Sequence, residues 1–532
     1  MKNILKYTLV LGIAALTLTG CIKEFEAEGS SISKEQVDAA PYGVKVNVAA
    51  IAGYTNDVGY ASSVPSMYGY PSMCVVRDCY CNDMAGADTG YDWYQPFSNN
   101  TYQTGIYGHM QIIWLFYTKW LALANDVIRM YPDLSAIPDD EKPYVGAAYA
   151  YRAWAWLDMG QMYEFKENKY TSKPEVVGLT IPYLHENMTE AEARNNPRLP
   201  KAELIGHIEE SIATAIELLG DFKSTDKTLP DKAVAYGLSA RLNLWKGNYV
   251  AAKQAAEDAL NAGVYSPLTE SQWTNTTTGF NSVDSQSSWM MCARLSSESS
   301  AVKSPMTNWV SWMSTETSYG YAAMGAYRLC DAQFYSQISN KDFRKKSWKA
   351  PSTNPGLDVP YIPAKGNYAG PDALDEYVPV KFRPAQGNPN DYLVAGAIDF
   401  PMMRMEEMKF IIAECDARLN SSAASLVEIV KTRNPEYKCS YKGGQLVREV
   451  FFQKRIEFWG EGVMFFDYKR CPDALIVKRG YDNSNHISSA QFNCVGLAPW
   501  MNLCINEYEA MDNKALKDTN NPDPSGTVKT WK

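Results

Sequence analysis

From residue 107 onward, apolar residues recur at three- and four-residue steps over most of the chain, and that spacing predicts helices. The run 107–130 carries IWLFYTKWLALANDVI and stops before Pro132. A second run, 141–165, carries YRAWAWLDMGQMY. In a third, 200–219, Leu204, Ile208, Ile212, Ala215 and Leu219 fall on one face. A fourth, 232–260, breaks in two at Lys246-Gly247-Asn248. Ala235, Leu238, Leu242 and Trp245 share a face of its first half. Ala252, Ala255, Ala256, Ala259 and Leu260 form a stripe of mostly small side chains on its second half, which admits close approach of another helix. Gly247 and Asn248 suit the left-handed backbone that ends a helix, and Tyr249 fills the junction. Helical spacing returns after Pro401 with Met405, Met408, Ile412, Cys415 and Leu419, with Glu414 and Arg418 placed as an outward ion pair. It continues through 445–475.

Elsewhere the pattern fades. Residues 35–73 have weak periodicity, and 74–104 read as loop, with Asn82-Asp83 followed by Trp93-Tyr94. Over 265–399, Ser, Thr, Asn, Pro and Gly cluster among scattered aromatics (Trp273, Phe280, Trp289, Trp309, Trp312, Tyr319, Tyr321), and no helical stripe lasts. A loop-rich stretch of that length points to binding. The hairpin at 232–260 resembles a tetratricopeptide (TPR) unit through Gly247, Tyr249, Ala252 and Ala259, and such a unit needs stacked neighbours to bury its faces. The fold class expected is therefore mainly α: a TPR-like array of helical hairpins interrupted by a large loop-rich subdomain. Its divisions are a signal peptide (1–20), a tether (21–34), an N-terminal helical region (35–264), the loop-rich ligand-binding subdomain (265–400) and a C-terminal helical region (401–532).

The N-terminus changes the picture of where the chain works. Lys2 and Lys6 precede a short apolar run, Leu9 to Leu18, too short to span a bilayer. Leu18-Thr19-Gly20-Cys21 resembles a bacterial lipobox, which implies cleavage before Cys21 and lipidation of that cysteine. Ile22-Lys23-Glu24-Phe25-Glu26 resembles the signal that sends lipoproteins of Bacteroidetes-type bacteria to the cell surface; the plain alternative is a solvated tether. The net charge of −9 with no basic block argues against nucleic acid as a partner. Cys74, Cys79 and Cys81 have the spacing C-x4-C-x-C, which is not a usual zinc pattern, and no histidine is near. No metal and no cofactor is expected. Cys494 and Cys504 are a possible pair that the spacing leaves open, and Cys415 reads as a buried free thiol.

Ordered blocks carry a family resemblance. Arg455-Ile456-Glu457-Phe458, Gly460-Glu461-Gly462 and Phe466-Asp467-Tyr468-Lys469-Arg470 resemble the C-terminal signature of the SusD/RagB family. Arg152-Ala153-Trp154 with Asp158 and Tyr163, the strand-like 178–182, and Ile505-Asn506-Glu507-Tyr508-Glu509 followed by Asn513 and Leu516 agree in order, with Asn506 where the family has proline. The resemblance implies a SusD-like α–α superhelix in a surface-exposed outer-membrane lipoprotein. It implies partnership with a SusC-like TonB-dependent transporter, to which a captured glycan or peptide is passed. A glycan is the ligand expected; an oligopeptide-binding, RagB-like uptake protein is the alternative, and a surface hydrolase or a protein-binding scaffold the remaining readings.

Catalysis finds little support. The four histidines are dispersed, and no phosphate loop, dinucleotide fingerprint, zinc-protease motif or nucleophile elbow is present. Glu457 and Glu461 could suggest glycoside hydrolysis, but Arg455, Lys469 and Arg470 are interleaved, which favours structural ion pairs. The positive candidates for ligand contact are Asn82, Asp83, Trp93, Tyr94, Trp273, Trp289, Trp309, Trp312 and Tyr319. Aromatic faces stack on the C–H faces of sugars, and Asn and Asp take hydroxyls. Trp114, Trp120, Trp154, Trp156, Trp245 and Trp459 are read as core or partner-facing.

Overall fold

The computed structural model describes residues 43–56, 65–299, 301–304 and 309–531. The signal, Cys21 and the tether lie outside the described residues. No helix among the described residues is long and apolar enough to cross a membrane.

Antiparallel helices stack side by side, as the hairpin pattern requires. Gly108–Arg129 packs on Lys142–Tyr163, which packs on Lys201–Leu219; Lys232–Lys246 then pairs with Tyr249–Asn261, and the latter with Met405–Asn420. Gly443–Glu457 closes the far end. Lys142–Tyr163 is the central layer and is buried continuously from Val145 to Tyr163. Two glycines permit its close approach to its neighbours. A Cβ at Gly146 would lie 2.9 Å from the Leu219 amide, and one at Gly160 would lie 2.7 Å from Leu204. The hairpin turn forms as the pattern indicated: Gly247 adopts φ +74°, while Asn248 caps the next helix, its side chain accepting from the Ala251 amide at 3.2 Å. Ala252, Ala255, Ala256 and Ala259 are buried.

Three sequence expectations need correction. Gly69–Tyr80, read partly as weakly periodic chain and partly as loop, is a helix. Every one of its residues is buried, so no polar face marks a period. Gly43–Tyr54 is likewise helical. Glu414 does pair with Arg418, at 2.8 Å, but it is fully buried and also held by Arg470, so the pair does not sit on an outer face. The six tryptophans read as core or partner-facing are all buried, although Trp459 lies just beyond a helix end. All ten cysteines after Cys21 are free thiols, Cys494 and Cys504 included.

Among the described residues, sheet is confined to two-stranded antiparallel pairs: Met84–Gly86 with Arg328–Cys330, Leu179–Pro182 with Arg198–Pro200, and Trp289–Arg294 with Asp399–Arg404. The last ties the two ends of the loop-rich stretch together, reinforced by an Arg294–Asp399 ion pair at 2.9 Å. The first pins the 84–94 segment onto that stretch.

Candidate functional site

The signature carboxylates are interior. Glu457 sits among three guanidiniums: Arg404 at 3.0 Å, Arg433 at 3.1 Å and Arg344 at 3.2 Å. Glu461 is held by Lys381 at 2.6 Å and Arg404 at 2.8 Å, and Glu406 by Arg433 at 2.7 Å. Burial by itself would push the Glu457 carboxyl up; Arg433, Arg404 and Arg344 outweigh it and hold the carboxyl well below the usual range. The ion-pair reading stands, but with other partners than the interleaved residues. Arg455 instead binds Asp83, Lys469 donates to the Met162 carbonyl, and Arg470 binds Glu414 and Asp467. Gly460 and Gly462 turn the chain with φ of +83° and +67°, and both amides donate to Asp78. A Cβ at either would strike Phe382 or Cys74. Glu406, Glu457, Glu461 and Asp78 are all buried, so the signature organises packing.

The aromatic candidates divide sharply. Trp273, Trp289, Trp309, Trp312 and Tyr94 are buried to within 2 %. Trp273 lies against Phe280, its ring 4.6 Å away, and is faced by Lys381 at 5.1 Å, Arg404 at 5.9 Å and Arg433 at 6.0 Å; its indole donates to Ser347. Trp309 packs edgewise on Phe382 and Phe400. Trp289 packs on Phe280. Asn82 and Asp83 are buried too: Asn82 accepts from the Lys478 amide at 2.6 Å, and Asp83 accepts from Arg455 Nε at 2.7 Å. Tyr319 is half-buried with its ring 6.2 Å from Tyr392.

Trp93 differs from all of them, with 48 % of its surface exposed. Its indole Nε1 donates to the Tyr321 hydroxyl at 2.9 Å. Tyr321 in turn stacks on Trp312, with ring centres 4.5 Å apart and planes 20° from parallel. Tyr94 meets Trp312 edge-on at 5.1 Å, and the Arg328 guanidinium lies 5.6 Å from both rings. Arg328 is sealed from solvent and paired with Asp92 at 2.5 Å. Burial works against its charge, and Asp92 and Cys79 more than offset this, so it stays protonated. The floor therefore consists of Tyr94, Trp312 and the Arg328–Asp92 pair. On it lie Tyr321 and the exposed Trp93, and Tyr91 and Met324, close to them in sequence, are exposed as well. Glycine at position 86 is required here, because a Cβ would stand 2.6 Å from the Asp92 carboxylate.

Beside this platform runs a cleft of about 330 Å³. The short helix Gly320–Ala323 is shared: Tyr321 serves the platform, and Ala322 and Ala323 line the cleft. One wall comes from 315–327 and the other from 367–378. Asn390 braces them, accepting from Ser318 Oγ at 2.9 Å and from the Asn367 amide at 3.0 Å. Tyr368 lines the cleft, with its hydroxyl buried and without a hydrogen-bond partner. Tyr321 and Met324 were not among the sequence candidates. Trp93 and Tyr321 are 228 positions apart, and the pairing of 84–86 with 328–330, with the Arg328–Asp92 ion pair, joins their segments.

The sequence model described as the SusD family matches residues 258–531, just over half of the chain. No curated protein matches. Among solved structures, a SusD-like carbohydrate binding protein from Bacteroides vulgatus ATCC 8482 is similar at 19 % identity and a TM-score of 0.69, over 90 % of this chain and 98 % of that one. A SusD superfamily protein from Bacteroides thetaiotaomicron VPI-5482 is similar at 16 % identity and a TM-score of 0.67, over 90 % and 99 %. Surface glycan-binding protein A from Bacteroides thetaiotaomicron, in complex with laminarihexaose, is similar at 15 % identity and a TM-score of 0.64, over 90 % and 98 %. At these identities the likeness is one of fold.

Proposed function

Because this chain belongs to the SusD family, we propose that it is a non-enzymatic, lipid-anchored protein of the outer membrane that captures a glycan at the Trp93–Tyr321 platform. Delivery to a SusC-like TonB-dependent transporter completes the reading. The family match and the carbohydrate- and glycan-binding proteins among its structural relatives support it. The lipobox ending at Cys21 supports the anchor. One observation carries the site: a half-exposed indole held by a hydrogen bond over a buried aromatic floor, next to a polar cleft. A rigid ring loses little rotamer freedom when a sugar stacks on it, and neighbouring hydroxyls and amides can meet the sugar's hydroxyls. The ligand-binding subdomain then comprises 265–400 together with the 84–94 segment. Calorimetry against a panel of glycans and oligopeptides tests the proposal. Glycan binding that Trp93→Ala weakens supports it; binding of oligopeptides alone moves the protein to the RagB-like reading, and turnover of a glycan by the pure protein moves it to the hydrolases.

A further inference from the structure

The cleft and platform carry a distinctive charge pattern. Among the described residues lining the cleft, Asp375 alone is charged. The remaining polar groups are the neutral side chains of Thr315, Thr317, Ser318, Asn367, Tyr368 and Tyr327. In the segment that carries Trp93, Asp88 is an exposed acid. The guanidiniums nearby are already spent: Arg328 is sealed against Asp92, and Arg383 against Glu316, all four side chains being almost wholly buried. Lys349 donates to the Pro371 carbonyl. Lys365, two residues before Asn367, is not part of the lining.

We propose that this site takes a neutral glycan, one whose sugars bear hydroxyls but no carboxylate or sulfate, and that it rejects uronate-rich and sulfated chains. The inference rests on the glycan reading above. A carboxylate or sulfate stripped of water needs a cation or several donors in exchange. Here the lining offers it only the acid Asp375 instead, within a molecule of net charge −9. A neutral sugar carries no such cost. Its hydroxyls can donate to the Thr and Ser oxygens, whose own protons already go to protein acceptors: Thr315 to Pro379 O at 2.6 Å, Thr317 to Ser314 O at 3.0 Å and Ser318 to Asn390 Oδ1 at 2.9 Å. In return the side-chain amide of Asn367, exposed on the cleft lining, can donate to the sugar.

The test titrates the full chain, at low and at high salt, with laminarin, xylan and galactomannan on one side and with polygalacturonate, alginate and chondroitin sulfate on the other. The expected result is binding of at least one neutral polymer with an affinity that salt barely changes. No acidic polymer should come within about tenfold of it, and Trp93→Ala, with an unchanged melting temperature, should weaken it by about tenfold. The inference is overturned, and the glycan reading survives, if an acidic polymer binds as tightly, loses affinity with salt and loses it again in Trp93→Ala. Binding of neither set at either salt sinks the glycan reading and this inference together.

Discussion

Trp273 and Trp93 sit on opposite sides of one question: what covers an indole. Trp273 is 1 % exposed, pressed against Phe280, and its ring is approached by three cations that belong to the Glu406–Glu457–Glu461 network. Trp93 is 48 % exposed, and a single hydrogen bond to Tyr321 fixes its orientation. The first ring uses its π surface to accommodate cations inside the protein; the second keeps its surface for whatever arrives. Both lie among Ser, Thr, Asn and Gly in the sequence, so local composition does not separate them.

The largest effect expected comes from dismantling the interior half of this contrast. Arg404→Ala leaves Glu406, Glu457 and Glu461 short of a partner in a buried site, and should cost about 3–5 kcal/mol in chemical denaturation. The same network makes acid destabilising. The Glu457 carboxyl titrates lower in the folded chain than in the unfolded one, where its pKa is about 4.3. Its contribution is fully present above that value and is lost as pH falls below it. Melting temperature should therefore drop steeply below about pH 4.5, and a flat profile there would contradict the assignment.

Comparable in size is Trp273→Ala, which opens a cavity and uncovers the cations. It should cost about 3–5 kcal/mol of stability while leaving ligand affinity of the folded fraction unchanged. Loss of affinity at full stability would mean the ring reaches ligand after all. Trp93→Ala should show the reverse, a loss of about 1.5 kcal/mol in binding with stability altered by less than about 0.5 kcal/mol. The smallest effect is Tyr321→Phe, which removes only the hydroxyl that orients Trp93; about 0.5–1.5 kcal/mol of binding should go. If that variant binds as tightly as the parent, the hydrogen bond is not what holds the indole in place.

Much of the helical body was legible because a half-buried helix writes its period into the chain, as Leu204, Ile208, Ile212, Ala215 and Leu219 do. Gly69–Tyr80 was not legible for the opposite reason: buried on every side, it has no polar face to alternate with. The candidate site was legible only in outline. Of the nine candidate residues, Trp93 is exposed on the platform, Tyr94 and Trp312 form its floor, and Asn82 and Asp83 brace the chain through Lys478 and Arg455. Tyr321, Met324 and the cleft walls left no local signal that distinguishes them from other loop residues.

Sequence alone determined that the chain is built of stacked helical hairpins, that Glu457 and Glu461 belong to an ion-pair network, and that ordered blocks of the SusD/RagB kind are present. These follow from periodicity, from charge interleaving and from motif order, all of which are local or linear properties. Tertiary structure decided which cations neutralise those carboxylates and which aromatic ring stays uncovered. Arg344, Arg404 and Arg433 reach Glu457 from separate segments, and Tyr321 reaches Trp93 across 228 positions. Exposure depends on what folds back over a side chain, and in a loop-rich region no short-range period records which segment that will be.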